Sequence, residues 1–123
     1  MLNAHQRFGK KGEMLASKLL KRRGYKILET NYKTLTGEID IIAKDRDTLV
    51  FVEVKSRRST RFGDPKFSIT RKKKEKIALT ALFYLKMTDQ MNKRARFDVV
   101  TILNSGADPQ IEIVKNAFEI PYG

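Results

Sequence analysis

The chain has no cysteine and no tryptophan, and His5 is its only histidine. Without cysteine, disulfides and thiolate metal sites are excluded, and a reducing compartment is the simplest expectation. With one histidine, zinc chemistry and histidine-based triads are poorly supported. Long apolar runs are also missing. The longest, such as LVFVEV at 49–54, are far too short to cross a bilayer, so no membrane partner is expected. The N-terminal MLNAHQRFGKKGE has basic residues with no apolar run behind them and does not read as a signal peptide. Together these features predict a cytoplasmic protein. Repeats and linker-like stretches are absent, and 123 residues fit one domain covering 1–123.

What is abundant is positive charge. Twenty-six Lys and Arg stand against 14 Asp and Glu, a net of +12, which points to a polyanionic partner. The excess is concentrated in two segments. Residues 55–76 hold ten basic and two acidic residues, and residues 5–23 hold seven and one. Neither segment splits cleanly into a cationic and an aromatic face, which argues against a membrane-surface helix. Hydrophobic residues at 41% are enough for a packed core.

Periodicity supplies the elements. Phe8, Gly12, Leu15, Ala16, Leu19 and Leu20 recur at helical spacing and predict a helix over 5–23, stopped by Gly24. Gly9 and Gly12 weaken that helix, which fits close packing, ligand approach or a frayed first turn. Strands are predicted over 25–32, 37–43 and 48–56, the last two joined by a turn at 44–47. A basic loop follows over 57–66. Ser68 or Thr70 can cap a second helix running to about Met87, with Ile77, Ala81 and Leu85 on one face. Residues 96–103 read as a strand and 111–114 as a short fifth. The order αβββαβ(β) predicts an α/β fold, a mixed central sheet flanked by helices.

The third strand carries the chemistry. Alternation places Val50, Val52 and Val54 on one face and Phe51, Glu53 and Lys55 on the other. Hairpin pairing can bring Asp40, set in the apolar run GEIDIIA, beside Glu53. Two carboxylates and an ammonium then meet at one end of the sheet. Close carboxylates repel unless a cation lies between them, and Mg²⁺ takes oxygen ligands and keeps waters. A nearby lysine can orient or deprotonate an attacking water and offset phosphate charge. Such a spacing is weak alone, because a solvent-facing strand also reads V-E-V-K. Its neighbours strengthen it. Glu13 is the only acid in a basic helix, and the strand runs straight into basic residues. Arg71, Lys72, Lys73 and Lys74 crowd the start of the second helix, where the dipole disfavours cations and a bound phosphate would favour them.

Several ordered motifs run through nearly the whole chain. They are Gly9-x-x-Gly12-Glu13-x-x-Ala16, Gly24-Tyr25-x-Ile27-Leu28-x-x-Asn31 and Gly37-Glu38-Ile39-Asp40-Ile41-Ile42-Ala43. Phe51-Val52-Glu53-Val54-Lys55-Ser56-Arg57, Phe62-Gly63-x-Pro65 and Arg96-Phe97-Asp98-Val99-Val100 follow. With these motifs the sequence resembles the YraN-like family of small bacterial proteins. That family is similar in fold to the archaeal Holliday junction resolvases of the PD-(D/E)XK nuclease superfamily. The resemblance implies a restriction-endonuclease-like αβββαβ core in a single nuclease-like domain. It implies Asp40 and Glu53 as metal-binding carboxylates for Mg²⁺ or Mn²⁺, Lys55 as the catalytic lysine, and Glu13 as the helix acid reaching the same site. Glu38 is placed either facing the active side or elsewhere, and Asp98 as a structural partner for an arginine or a helix end. Two departures stand out: Ile39 where the superfamily name has proline, and Lys33 where arginine is expected.

The expected function is metal-dependent endonuclease action on phosphodiester bonds of DNA, branched or junction DNA in particular. Water would attack phosphorus in line, with Lys55 assisting. Arg57, Arg58, Arg61, Arg71, Lys72, Lys73 and Lys74 are the expected phosphate contacts, and a homodimer would suit a two-fold branched substrate. The alternatives are a non-catalytic nucleic-acid-binding protein with this fold and a basic RNA-associated protein. No aromatic-rich single-strand platform is evident, which weakens the last.

Overall fold

The computed structural model describes residues 4–57, 69–103 and 108–119. Helix α1 covers Ala4–Arg22, and strands β1, β2 and β3 cover Lys26–Thr34, Gly37–Asp45 and Thr48–Arg57. Helix α2 spans Arg71–Met87, followed by β4 at Arg94–Leu103 and β5 at Gln110–Phe118. The five strands form one sheet in the order β1-β2-β3-β4-β5. Only β3 and β4 run parallel; the other pairs are antiparallel. A parallel pair needs a crossover between its strands, and α2 is that crossover. The fold is α/β with a mixed sheet and two helices, consistent with a restriction-endonuclease-like core.

Each sheet face has its own helix. Ala16 and Leu20 of α1 are fully buried against Ile41, Ala43, Val50, Val52, Val100 and Ile102. On the other face, Ile77, Ala78, Ala81 and Tyr84 of α2 pack on Ile42, Leu49, Phe51, Phe97 and Val99. Leu85, predicted on that helix face, packs partly buried against the same cluster. The interior strands are covered on both faces, and so read as near-continuous apolar runs. No helix among the described residues is long and apolar enough to cross a membrane.

The helix ends follow local chemistry. At the end of α1, Tyr25 N–H donates to Leu20 O at 2.9 Å and Gly24 N–H to Lys21 O at 3.0 Å. Gly24 has φ +89°, the left-handed stop that closes this motif without a Cβ penalty. Thr70 caps α2, its side chain accepting from Lys73 N–H at 3.1 Å. Gly12 owes its place to packing: a Cβ there would collide with Ser56 Oγ of β3. Close packing, one of the three readings of the glycines in this helix, is therefore the reason for Gly12.

Several boundaries differ from expectation. Tyr25 lies outside β1, which continues to Thr34. The 44–47 turn shrinks to Arg46-Asp47, with Arg46 at φ +56° and Asp45 paired to Thr48. The fifth strand is nine residues long, because it pairs with β4 along most of its length.

Candidate functional site

The site is built where β2 departs from regular alternation. Ile39 and Ile42 both pack beneath α2, whereas Ile41 packs beneath α1. Strict alternation would place residues 39 and 41 on one face. The phase changes at Asp40. The β2–β3 ladder runs regularly from Asp45–Thr48 to Ile41–Val52. Beyond it, Asp40 Oδ2 accepts the Val54 N–H at 2.8 Å. The carboxylate thus lies in the seam between the two strands, satisfying a β3 amide.

On β3 the alternation holds. Val50 and Val52 pack beneath α1, while Phe51 packs beneath α2. Glu53 follows Phe51 on the α2 face and is only 6% exposed. Its carboxyl lies close enough to Asp40 for the two to perturb each other. Lys55 Nζ stands 4.0 Å from Glu53 Oε1, and Lys73 Nζ, from the first turn of α2, stands at 3.6 Å. Asp40, Glu53 and Lys55 therefore meet at one end of two interior strands.

Burial sets the proton balance of this group. It pushes Glu53 up to about 7, with the Asp40 carboxylate adding to the effect and the Lys73 and Lys55 ammoniums opposing it. Asp40 is also raised, chiefly by burial, though the Val54 N–H works the other way. Burial lowers Lys55, against the pull of Glu53. Both carboxyls thus hold protons more strongly than free ones, beside an ammonium that releases its own more readily than usual.

Glu13 reaches the same end from α1, on the opposite sheet face. Its carboxyl is raised by burial first and by Asp40 second. With its amide nitrogen turned toward the acids, Asn31 donates to Glu13 Oε1 at 3.1 Å and to Glu38 Oε1 at 3.1 Å. Asn31 sits at φ +53°, a left-handed position that asparagine tolerates. Glu38 therefore belongs with Glu13 and Asn31 at the margin of the site, within electrostatic reach of Asp40.

A match to the uncharacterised protein family UPF0102 runs over residues 12–102, from the first buried turn of α1 to the end of β4. The chain belongs to that family. A UPF0102 protein of Desulfosudis oleivorans is 52% identical over 119 residues, covering 97% of this chain and 95% of the relative. One from Syntrophus aciditrophicus is 48% identical, covering 95% and 92%, and one from Geobacter metallireducens is 49% identical, covering 93% of each. The UPF0102 match includes every residue of the site just described and leaves β5 outside it.

The expected phosphate contacts do not form one stripe on the UPF0102 scaffold. Arg71 Nε pairs with Glu75 Oε1 at 3.3 Å. Lys74 Nζ lies 5.6 Å from the centre of the Phe118 ring. Lys73 turns into the carboxyl site, Lys72 is exposed, and exposed Arg57 donates to Ser56 O at 3.0 Å. Arg58 and Arg61 lie outside the described residues. Lys73, expected as a phosphate contact, instead stands beside Glu53, and Asn31 had no assigned role in the sequence. Lys73 looked like one member of a lysine run, and only the capped start of α2 fixes its direction. Asn31 sat within a motif, and an asparagine inside a strand, a residue type that tolerates the left-handed region, is the signal that could have marked it.

Among the described residues, no three carboxylate or imidazole groups form a ready metal cage. The donor set is the neighbouring Asp40 and Glu53 carboxyls, with Glu13 beside them. That set suits a hard cation held by one or two carboxylates and otherwise by water.

Without metal, the raised carboxyls make stability fall with pH. The folded Glu53 value is about 7 against an ordinary 4.5. Its contribution is therefore full below 4.5 and is lost as pH rises through about 7. The difference is worth about 3 kcal/mol at most. Asp40 and Glu13, also raised, act in the same sense. Urea melts in chelator should show lower stability at pH 8 than at pH 5, and Glu53→Gln should flatten the slope. An equally steep slope in the variant would place the titrating group elsewhere.

Proposed function

We propose that this UPF0102 protein is a Mg²⁺- or Mn²⁺-dependent DNA endonuclease of the PD-(D/E)XK type, acting on branched or junction DNA. The observation that carries the proposal is the meeting of Asp40, Glu53 and Lys55 at one end of β2 and β3. Binding alone does not need buried carboxylates beside a polyanion. A bound divalent cation would supply Lewis-acid charge at the phosphoryl group and lower the pKa of water. Asp40 and Glu53 would hold it in their charged forms, which its charge would favour.

The chain's own groups then divide the work. Lys55 orients the attacking water as an ammonium and, with its lowered proton affinity, can take a proton from that water once it has released its own to solvent. Lys73 approaches the same Glu53 oxygen as Lys55 and offsets phosphate charge. Glu13, held by Asn31, positions the acidic side of the site. A DNA substrate and a cysteine-free composition both fit work in the cytoplasm, and a homodimer would match a two-fold junction.

The second reading is a nuclease-like protein that binds DNA without cutting it. What favours it is that no third carboxylate or imidazole completes a metal cage among the described residues. One experiment separates the readings. Labelled linear, nicked, flapped and four-way DNA is incubated with the protein, with and without Mg²⁺ or Mn²⁺. Metal-dependent cleavage supports the enzyme. Tight binding with no product under either metal puts the binder first.

The separate directions of the α2 lysines give a sharper binding test. Lys72→Ala should reduce the slope of log affinity against log salt by about 0.9, the loss of one phosphate contact. Lys73→Ala should change that slope less and depress cleavage more, since its ammonium faces Glu53. Equal effects of the two variants on slope and on cleavage would return Lys73 to the phosphate-contacting surface.

A further inference from the structure

The β1–β2 hairpin ends in a side chain that its local structure does not explain. Leu35 stands at the tip between paired Thr34 and Gly37, with relative exposure of 108%. Hairpin tips ordinarily carry glycine, asparagine or aspartate. A leucine there gives up its whole burial energy.

The tip is nevertheless firmly held. Thr34 Oγ1 accepts the Thr36 N–H at 3.2 Å and lies 2.8 Å from Thr36 Oγ1. Thr36 Oγ1 in turn lies 3.1 Å from Thr80 Oγ1, a fully buried hydroxyl that donates to Lys76 O at 2.8 Å. Three threonines thus tie the hairpin to α2. Beside Leu35 opens a groove of about 550 Å³, walled by Leu79 and Phe83 of α2 and flanked by Lys33 and Lys86. Leu79 and Phe83 are both nearly half exposed.

We propose that this hairpin is a strand-separating wedge. Leu35 enters a base step where duplex DNA meets unpaired DNA, and the freed base lies in the groove against Phe83. The inference rests on the DNA-cleaving reading and names the structural feature of the substrate. Apolar side chains that unstack a base step are an established way for proteins to open DNA, and aromatic faces hold unpaired bases. Charge selects the occupant. Two lysines border an apolar surface on a chain of net +12, so a second copy across a two-fold axis would set like charges face to face. Position selects DNA over other anions. Strand β2 leads from the tip to Asp40, five residues on, a span of at most about 17 Å. That distance covers on the order of five base steps along one strand. The wedge therefore sits where it can choose which phosphates reach the carboxyl pair.

The test is binding in EDTA, where no cutting intervenes. The probes are a blunt duplex and a forked duplex with 2-aminopurine at the first unpaired positions. Wild type should prefer the fork by about tenfold, the scale of one stacked base, and should change the 2-aminopurine fluorescence. Leu35→Ala should lose most of the preference and of the fluorescence change, with duplex affinity and melting temperature unchanged. Phe83→Ala should also weaken fork binding. Equal fork preference in Leu35→Ala and wild type overturns the wedge while leaving the DNA reading intact. So does wild-type binding that ignores the fork. A Leu35→Ala effect confined to anionic vesicle binding or to sedimentation as a dimer assigns the patch to a membrane or a second copy. Failure of wild type to bind either DNA overturns both readings.

Discussion

Glu53→Gln should stop cleavage and leave DNA binding intact or tighter. Glutamine keeps the shape of the side chain beside Asp40 and removes its ability to carry negative charge next to phosphate. The expected loss is at least about 10²–10³-fold in rate, the scale of removing one preorganised electrostatic group. Binding should survive because the charge removed is the wrong sign for a polyanion. Lys55→Ala should also abolish cleavage but weaken binding slightly, since the lost group faces phosphate. Stability separates these effects from misfolding. The buried carboxyl is held near 7 by burial, so its neutral replacement should raise the melting temperature in chelator at pH 8. Lys55→Ala removes one of the two cations that offset Glu53 and should not stabilise. If both variants cut as wild type does, the activity belongs to another site or to a contaminant.

Much of this geometry was readable because β3 obeys a simple rule. Val50 and Val52 face α1, Phe51 and Glu53 face α2, and the register of the β2–β3 hairpin brings Asp40 to Glu53. Side chains of a regular strand alternate between faces, so the position of Phe51 fixes that of Glu53. What escaped notice depended on contacts distant in sequence. The phase change at Asp40 follows from its bond to Val54 N–H, and nothing in GEIDIIA marks it. Lys73 points to Glu53 because Thr70 sets where α2 starts, and that angle is tertiary. The lysine run at 72–74 looked uniform because periodicity reports a helix face and not what lies beneath it. The length of β5 was hidden for another reason: four of its nine residues are polar, and only its pairing with β4 makes it a strand.

Asp98→Ala should be among the most destabilising single changes, at about 3–5 kcal/mol, the scale of breaking a buried ion pair from one side. Asp98 was expected to partner an arginine or a helix end, and it does the first. It is fully buried, and its two oxygens receive four donors. Arg96 Nε donates to Oδ1 at 3.0 Å and its NH2 group to Oδ2 at 3.2 Å. Tyr25 OH donates to Oδ2 at 3.1 Å, and Asn116 N–H to Oδ1 at 2.9 Å. One carboxylate thus ties the residue after α1 to β4 and β5. Alanine would leave a guanidinium, a phenol and a backbone amide short of an acceptor. Asparagine should recover little, because its NH2 must face donors. Asp45, one-fifth exposed and 2.7 Å from Arg96, is the contrasting case. Water can replace its carboxylate, so Asp45→Ala should cost about 1 kcal/mol. Measured by urea melts at pH 7, the Asp98 variant loses a large share of a typical total of about 5–15 kcal/mol. Asp45 and Arg96 lie toward the end of the sheet away from Lys55, so this cost is one of folding. An Asp98→Ala protein that melts like wild type yet fails to cut DNA would contradict the assignment and move Asp98 into the chemistry.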